Sequence, residues 1–259
     1  MRVTLATQIG ELARRSIART MRQPAQIVPA LVFPLFLLAV NTGGLNNVTK
    51  LPGFPTDSYL TFALSITFMQ GAMFALMNAG TNLAADVETG FLNRLALTPL
   101  RGSALLTGML AGVLVLGFVQ AATFLLVGLT AGAHVAAGVG GVLVIFALSF
   151  LMTLGFGAIG SAAALRTGSG EAVQGLFPLF FVLLFLSSMS LPRDLIQTDW
   201  FREIATWNPI SYLIEAVRSL LITGWDGQAL ALGFAVAIGL IVVGTVLASL
   251  ALRTRLVRT

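Results

Sequence analysis

The sequence predicts an all-α integral membrane protein with six transmembrane helices, an interfacial helix before them, and an outer-leaflet helical hairpin before the last span. Three observations support this fold class. Hydrophobic residues make up 57% of the 259 positions and charged residues only 10%, with a mean hydropathy of +0.93; soluble domains are less apolar and more charged. The apolar residues form six long runs, and arginines concentrate in alternate segments between them. We therefore treat residues 1–259 as a single transmembrane domain.

Residues 1–24 are predicted to form a helix at the cytoplasmic surface of the membrane. Between Leu5 and Arg22 the apolar residues fall near one helical face, and Glu11 with several arginines falls near another, which is typical of an interfacial helix. A cleaved signal peptide is disfavoured, because the basic region is too long and no small-residue cleavage site precedes a mature domain. We expect the arginines to lie among anionic lipid headgroups; they are Arg14, Arg15, Arg19 and Arg22.

Six apolar runs predict the transmembrane helices, since each reaches the roughly 20 residues that a hydrocarbon core of about 30 Å requires. They cover residues 26–45, 59–85, 103–131, 137–165, 172–191 and 229–252. Pro29, Pro34 and Pro178 lie inside these runs and should kink or locally unwind their helices.

The distribution of basic residues predicts the orientation of the chain. With the N-terminus inside, the inner segments hold eleven arginines and the outer segments hold four basic residues, so the positive-inside rule places both termini in the cytoplasm. The net charge of +5 then reflects topology rather than a nucleic-acid partner. Fourteen of the fifteen basic residues are arginine, and Ala and Gly are abundant, which favours a GC-rich bacterial genome and the bacterial plasma membrane.

Small residues recur at four-residue spacing within the spans and predict close helix packing, because they let two backbones approach each other in a membrane. The pairs are Gly108 with Gly112, Gly128 with Gly132, and Gly157 with Ser161. Packing inside one chain and packing between two copies are both compatible with this pattern.

The chain offers few residues for catalysis, metal binding or nucleotide hydrolysis. It has no cysteine, and its one histidine, His134, lies in a short outer loop among Ala and Gly, so we predict no catalytic residue and no metal site. A phosphate-binding loop needs its lysine between Gly and Ser or Thr, whereas Lys50 follows Thr49 and precedes Leu51. We therefore expect no cofactor on this chain; if ATP drives it, another polypeptide binds the ATP and Mg²⁺.

The spans contain amides and hydroxyls but no ionisable residue well inside them. This disfavours a proton- or sodium-driven transporter, because coupling ions normally bind at ionisable groups at mid-membrane depth. Several polar residues of the second span share one helical face; they are either interhelical hydrogen-bonding groups or the wall of a pathway for an amphipathic solute. Phenylalanines of the fifth run favour an apolar partner, either lipid or substrate. The candidate pathway residues are Thr67, Gln70, Phe74, Asn78, Phe177 and Phe181.

Residues 86–101 separate the second and third spans with a polar segment that we predict to be a short cytoplasmic helix. Its apolar side includes Phe91, Leu92 and Leu95, and its polar side includes Glu88 and Arg94. Pro99 should end the helix, because the residue before a proline avoids the α region. A rigid helix continuous with two spans is suited to docking a cytoplasmic partner.

Residues 191–228 differ from the other connections, because charged and aromatic side chains alternate along them. The Asn208-Pro209 turn divides the segment into two short helices, and Glu215 pairs with Arg218 at i,i+3 on the second. Rings with a polar handle favour the membrane–water boundary, so we predict an outer-leaflet hairpin that closes the outer end of the pathway. The residues assigned to this outer gate are Trp200, Trp207, Asn208, Pro209, Tyr212, Glu215 and Arg218.

Two motifs in these segments resemble a known family. The first reads Glu-Thr-Gly-Phe-Leu-Asn-Arg-Leu over residues 88–95 and continues as Thr-Pro-Leu over residues 98–100. The second begins at Asn208-Pro209 and ends at Arg218. They are similar to the coupling helix and to the Asn-Pro…Tyr…Glu-Ala-Arg signature of type 2 ATP-binding-cassette exporter permeases, in particular the daunorubicin-resistance-like branch. The likeness covers nearly the whole chain.

The chain departs from the coupling motif of that family at two positions. Phe91 stands where a small hydroxyl residue is usual, and Asn93 stands where an acid is usual. Charge pairing at Asn93 is therefore not expected, whereas the docking role of the helix is unaffected.

The resemblance implies a permease subunit, not an enzyme, that works with a separate cytoplasmic ATP-binding-cassette ATPase and with a second permease copy or a related permease. The implied cargo is an amphipathic or hydrophobic solute, such as a drug, a lipid or a glycolipid, and the implied direction is export. An ion-coupled secondary transporter and a membrane scaffold without transport are the alternatives. The residues implied in coupling to the ATPase are Asp86, Glu88, Gly90, Phe91, Leu92, Arg94, Leu95, Pro99 and Arg101.

Overall fold

A computed structural model of the protein describes residues 4–96 and 102–257. The regular structure of these residues is all helical, as predicted. The α-helices in chain order are α1 (Leu5–Met21), α2 (Pro24–Leu45), α3 (Tyr59–Glu88), α4 (Phe91–Ala96), α5 (Gly102–Thr130), α6 (Gly138–Thr167), α7 (Gly170–Gln174), α8 (Leu176–Phe185), α9 (Asp199–Trp207), α10 (Pro209–Ile222) and α11 (Gly227–Val257).

Five helical stretches of the described chain are long and apolar enough to cross a membrane. They cover residues 24–50, 59–88, 104–130, 138–167 and 227–255, and each coincides with one of the predicted runs. The predicted count of six transmembrane helices is not confirmed, because the run over residues 172–191 forms only the short apolar stretch Gly170–Phe185.

Proline explains why that run is interrupted. Pro178 has no N–H to donate to the carbonyl of Gln174, and its ring crowds that carbonyl, which breaks a helix. The helix accordingly ends at Gln174, passes through a turn at Gly175 and resumes as α8. The prediction that Pro178 unwinds its helix is thus confirmed, whereas Pro29 and Pro34 lie inside the uninterrupted α2.

The broken segment nevertheless connects the two ends of the bundle. A Cβ on Gly155 of α6 would lie 2.9 Å from the Cβ of Leu240 of α11. One turn later on both helices, a Cβ on Gly244 of α11 would lie 2.9 Å from the Cβ of Ala158 of α6. Because the contacts advance in the same direction along both helices, α6 and α11 run parallel. A chain joining two parallel helices must return to the starting end. α7 begins beside the last turns of α3, and the residues after α8 contact α10 near the first turns of α3.

The core of the bundle surrounds α3, most of whose side chains are buried. Its closest neighbour is α6: a Cβ on Gly160 would lie 2.1 Å from the carbonyl oxygen of Leu76. Only glycine permits this approach, so the two backbones are in direct contact. Outward-facing side chains of α2 and α11 are largely apolar and exposed, which suits a lipid environment.

The predicted glycines pack inside the chain with the exception of Gly132, and one pair has an unexpected partner. Gly108 and Gly112 lie against α1, since a Cβ on Gly108 would lie 2.4 Å from the Cβ of Leu12. Gly128 faces Leu64 of α3. Gly132 has a φ of +100° and no atom of the described residues within 4 Å of its missing Cβ, so it forms a turn rather than a packing contact.

Candidate functional site

The segment predicted to couple the membrane helices to a partner is not one continuous helix. α3 runs on to Glu88, and the chain then turns through Gly90, whose φ of +67° is favourable only for glycine. α4 starts at the next residue and is six residues long. The prediction of a single helix over residues 86–101 is therefore wrong at Gly90. Asp86 and Glu88 belong to the last turns of α3.

Asp86 faces the interior of the protein and pairs with two arginines of α1. Its side chain is 5% exposed. The guanidinium of Arg15 donates to both carboxylate oxygens, at 2.7 and 3.1 Å, and Arg19 donates to Oδ1 at 2.7 Å. Such forked, charge-assisted bonds are the strong ones. The expectation that Arg15 and Arg19 lie among lipid headgroups is thereby corrected, whereas Arg14 and Arg22 are exposed.

The remaining coupling candidates divide between the protein interior and the surface. Leu92 is buried and anchors α4 to the bundle. Glu88 and Arg94 are exposed, although Glu88 Oε1 also accepts a long hydrogen bond of 3.4 Å from the Gly170 amide. Leu95 belongs to α4. Pro99 and Arg101 lie outside the described residues.

Phenylalanines from three helices form a continuous aromatic cluster. Ring centroids lie 5.4 Å apart for Phe74 and Phe177, 5.0 Å apart for Phe177 and Phe181, and 5.9 Å apart for Phe33 and Phe74. α8 presents part of this cluster to an open groove of about 550 Å³, which we call the aromatic groove. It is lined by Phe177, Pro178, Phe181, Val182, Phe185 and Leu186. The structure therefore brings together three predicted pathway residues, and adds Phe33 of α2.

The polar residues predicted for the same wall lie in the interior. Thr67, Gln70 and Asn78 are all buried. Thr67 donates to the carbonyl of Leu64 at 2.6 Å, and Asn78 Nδ2 donates to Gln26 Oε1 of α2 at 2.5 Å. The Asn78 contact joins two helices, whereas the Thr67 contact lies within α3; the burial of all three side chains disfavours an open pathway wall. Their role in transport stays a prediction.

Another amide of the spans compensates for a proline. Because Pro34 has no N–H, the carbonyl of Ala30 lacks its helical donor. Gln120 Nε2 of α5 donates to that carbonyl at 3.2 Å. A polar side chain thus satisfies a backbone group where no water can do so.

Residues 199–222 form the predicted hairpin of α9 and α10. Asn208 holds the turn: its Oδ1 accepts from the Ile210 amide at 3.0 Å, and its Nδ2 donates to the Leu183 carbonyl at 2.6 Å. Pro209 occupies the first turn of α10, where its missing N–H has no cost. Tyr212 Oη donates across the hairpin to the Thr206 carbonyl at 2.7 Å.

Arg218 lies inside the protein and caps the chain that follows α8. Only 6% of the residue is exposed. Its Nη1 and Nη2 donate to the carbonyls of Ser188 and Met189 at 2.8 and 3.0 Å, and its guanidinium lies 3.6 Å from the centroid of the Phe62 ring. These carbonyls need donors because α8 stops short and leaves them without helical partners.

Glu215 contacts the same segment from the same side of α10, one turn before Arg218. It accepts from Ser188 Oγ at 2.7 Å and forms an ion pair with Arg193. The expected i,i+3 pair of Glu215 with Arg218 is therefore replaced by two separate contacts. Partial burial alone lowers the pKa of Arg193, but the Glu215 carboxylate and hydrogen bonds outweigh it, so this pKa lies above its ordinary value.

The two tryptophans of the hairpin face outward. Trp207 is 81% exposed, and Trp200 is also exposed. Both line an open groove of about 490 Å³ between α8 and α9, together with Leu183 and Ile204. The structure thus separates the predicted outer-gate residues. Asn208 and Arg218 are buried and Tyr212 and Glu215 are half-buried in contacts that fix the hairpin, whereas Trp200, Trp207 and Pro209 are exposed.

Four residues of these sites escaped sequence reasoning. Arg15 and Arg19 were assigned to lipid, because charge spacing cannot distinguish a headgroup from a carboxylate more than sixty residues away. Phe33 and Arg193 gave no periodic signal. Phe91, by contrast, was among the predicted coupling residues, and the sequence marks it as unusual because the family usually has a small residue there. Its ring centroid lies 3.7 Å from the Arg15 guanidinium.

Comparison with known proteins agrees with these motifs. Residues 7–222 match the model of the ABC-2 type transporter family. The chain is 28% identical over 207 residues to the daunorubicin resistance ABC transporter permease protein DrrB1 of Streptomyces coeruleorubidus, covering 76% of this chain and 69% of the relative.

It also resembles two putative transport permeases named ycf38. Identity is 26% over 211 residues for that of Cyanophora paradoxa, covering 81% of this chain and 72% of the relative. For the ycf38 permease of Porphyra purpurea, identity is 24% over 221 residues, covering 85% of this chain and 76% of the relative. The chain is therefore a member of the ABC-2 type transporter family and a multi-pass transmembrane permease subunit of an ABC transporter.

Proposed function

We propose that this permease subunit exports an amphipathic or hydrophobic solute, such as a drug, a lipid or a glycolipid, across the bacterial plasma membrane. Energy comes from a separate cytoplasmic ATP-binding-cassette ATPase that holds the ATP and Mg²⁺. ABC-2 permeases work with such ATPases. The finer assignments rest on the aromatic groove, the coupling segment and the outer hairpin.

The aromatic groove is the observation that carries the substrate class. Its walls are apolar side chains, and the rings of Phe177 and Phe181 continue inward to Phe74. Such a surface binds aromatic or acyl groups by burial and ring contacts, and offers no ionic partner for a charged solute. The Streptomyces relative, whose name refers to daunorubicin resistance, supports an aromatic drug as one member of this class.

The open side of the aromatic groove supports an arrangement of two permeases. A pathway must be enclosed, and one copy of α8 provides only one wall. A second copy of this chain, or a related permease, facing the same groove would enclose it. The outer hairpin then covers the outer end of the pathway, with Trp200 and Trp207 at the membrane surface.

The inner end supplies the contact with the ATPase. α4 lies between α3 and α5 in the chain, so it is the segment through which a partner can reach two long helices. Exposed Glu88 and Arg94 provide one charge of each sign for the partner. α1 and the last turns of α11 lie at this same end of the bundle, as expected if both termini are cytoplasmic.

Ring removal in the aromatic groove tests the substrate assignment. In the permease reconstituted with its ATPase, Phe181→Ala should raise the daunorubicin concentration for half-maximal stimulation of ATP hydrolysis about two- to tenfold, the range of one aromatic pair. Phe118→Ala is the matched control, since Phe118 is an exposed phenylalanine of α5 outside the groove. An equal effect of both variants, or of neither, contradicts the assignment of the groove to solute binding.

A further inference from the structure

The aromatic residue that departs from the family motif has a specific partner in this chain. Phe91, the first residue of α4, lies with its ring 3.7 Å from the guanidinium of Arg15. The same guanidinium donates two hydrogen bonds to Asp86 of α3. Arg15 therefore joins three helices at once, and we call Arg15, Asp86 and Phe91 the arginine clasp.

α1 is in turn seated closely on α5. Ser16 Oγ donates to the carbonyl of Met109 at 2.6 Å and accepts from the amide of Gly112 at 3.2 Å. A Cβ on Gly112 would lie 2.7 Å from the backbone oxygen of Ser16. Contacts this close leave no room for one helix to slide without the other, so α1 and the first turns of α5 move together.

The junction between α3 and α4 is weak by comparison. The two helices are connected by Thr89 and Gly90, and among the described residues no atom lies within 4 Å of the missing Cβ of Gly90. A glycine turn of this kind bends readily. A load applied to α4 therefore needs another rigid contact to reach the bundle, and the arginine clasp provides it in addition to buried Leu92.

We propose that Arg15 and Phe91 fasten α4 to α1. Displacement of α4 by the ATPase then reaches α5 through α1, in addition to reaching α3 through the connecting chain. Arg15 is thus a positioning residue of the coupling segment. The inference rests on the proposed function, because it requires an ATPase that docks on α4. Arg19 also pairs with Asp86, so Asp86 keeps a charged partner when the clasp is opened, and the fold is expected to survive.

Two substitutions of Phe91 test the clasp. Phe91→Tyr retains a ring over Arg15, whereas Phe91→Leu retains bulk and apolarity but has no ring face for the cation. The chain has no cysteine, so Ala6→Cys on α1 and Thr167→Cys at the end of α6 give a unique spin-label pair on exposed positions. One doubly labelled protomer is diluted among unlabelled ones, in the complex with the ATPase in lipid nanodiscs.

The measurement is the change in the label distance between the nucleotide-free and nucleotide-trapped states. With the native residue or Tyr at position 91, we expect the distance to change on trapping, and with Leu we expect the change to be lost. Solute-stimulated ATP hydrolysis should fall about two- to fivefold in Phe91→Leu, the range of one exposed cation–π contact. Stimulation is expressed relative to the basal rate of the same variant in the same complex.

Each other result has a defined meaning. If Phe91→Leu shows the full distance change and the full stimulation, the clasp transmits nothing and the inference is overturned. If Phe91→Tyr fails like Phe91→Leu, the ring contact is not the cause, and the inference is again overturned. If the native chain purifies with no ATPase, the proposed function has failed, which is a different outcome from a failure of the clasp.

Discussion

Arg218 offers the sharpest test of how the hairpin of α9 and α10 is held in place. Replacing it by Leu leaves the carbonyls of Ser188 and Met189 without donors, at about 1–3 kcal/mol each. It also removes a cation–π contact with Phe62 of about 0.5–2 kcal/mol. Part of this loss is offset, because the buried charge itself carries a desolvation penalty and its Nε has no partner within the described chain. We expect a net loss of about 2–4 kcal/mol in the free energy of unfolding.

The assay is unfolding by sodium dodecyl sulfate in mixed micelles, followed by tryptophan fluorescence. Arg202→Leu is the matched control: Arg202 lies on the same hairpin but is exposed, pairs with exposed Asp199 and donates to a single carbonyl, that of Ile196, at 3.2 Å, so its loss should be about 1 kcal/mol. Arg218→Lys should fall between the two, because an ammonium keeps the charge but lacks the planar fork. If Arg218→Leu unfolds within about 0.5 kcal/mol of the native protein, the capping argument is refuted.

Two further predictions concern the core and the coupling surface. Gly160→Ala should destabilise the bundle by about 3 kcal/mol or more, because its Cβ would collide with the backbone of α3. Gly239→Ala is the control and should be close to neutral in the same unfolding assay, because no atom of the described residues lies within 4 Å of its missing Cβ. Equal stability of the two variants would contradict the backbone contact. Reversing Glu88 or Arg94 to the opposite charge should abolish solute-stimulated ATP hydrolysis while the protein still inserts and folds, since both are exposed on the proposed docking surface. Normal stimulation in both reversals would remove them from that surface.

The sequence was sufficient for the features that depend on local pattern. Hydropathy over about 20 residues located five spans, and amphipathic periodicity located α1. Asn208-Pro209 located the hairpin turn, because Asn caps a helix and Pro suits its first turn. The motifs identified the family, since they were compared with a known pattern rather than derived from physics.

Features that depend on distant contacts could not be predicted. The run over residues 172–191 has the hydropathy of a span, but α8 ends at Phe185, and the donors for the carbonyls beyond it come from α10. The polar face of α3 was identified correctly by its period, yet period alone does not say whether the face meets protein or a pathway. Gly90 is a local signal that should have predicted the break between α3 and α4, since a glycine between two helical segments commonly marks a helix end.

Purification of the chain from its native membranes tests the central claim most directly. The protein, expressed with an affinity tag and extracted in mild detergent, should bring with it an ATP-binding-cassette ATPase, and the complex should hydrolyse ATP with Mg²⁺ at a rate that a hydrophobic solute raises. Reconstituted into vesicles, the same complex should move that solute only when ATP is supplied. Solute movement by the purified chain without any ATPase, driven by an ion gradient alone, would contradict the account.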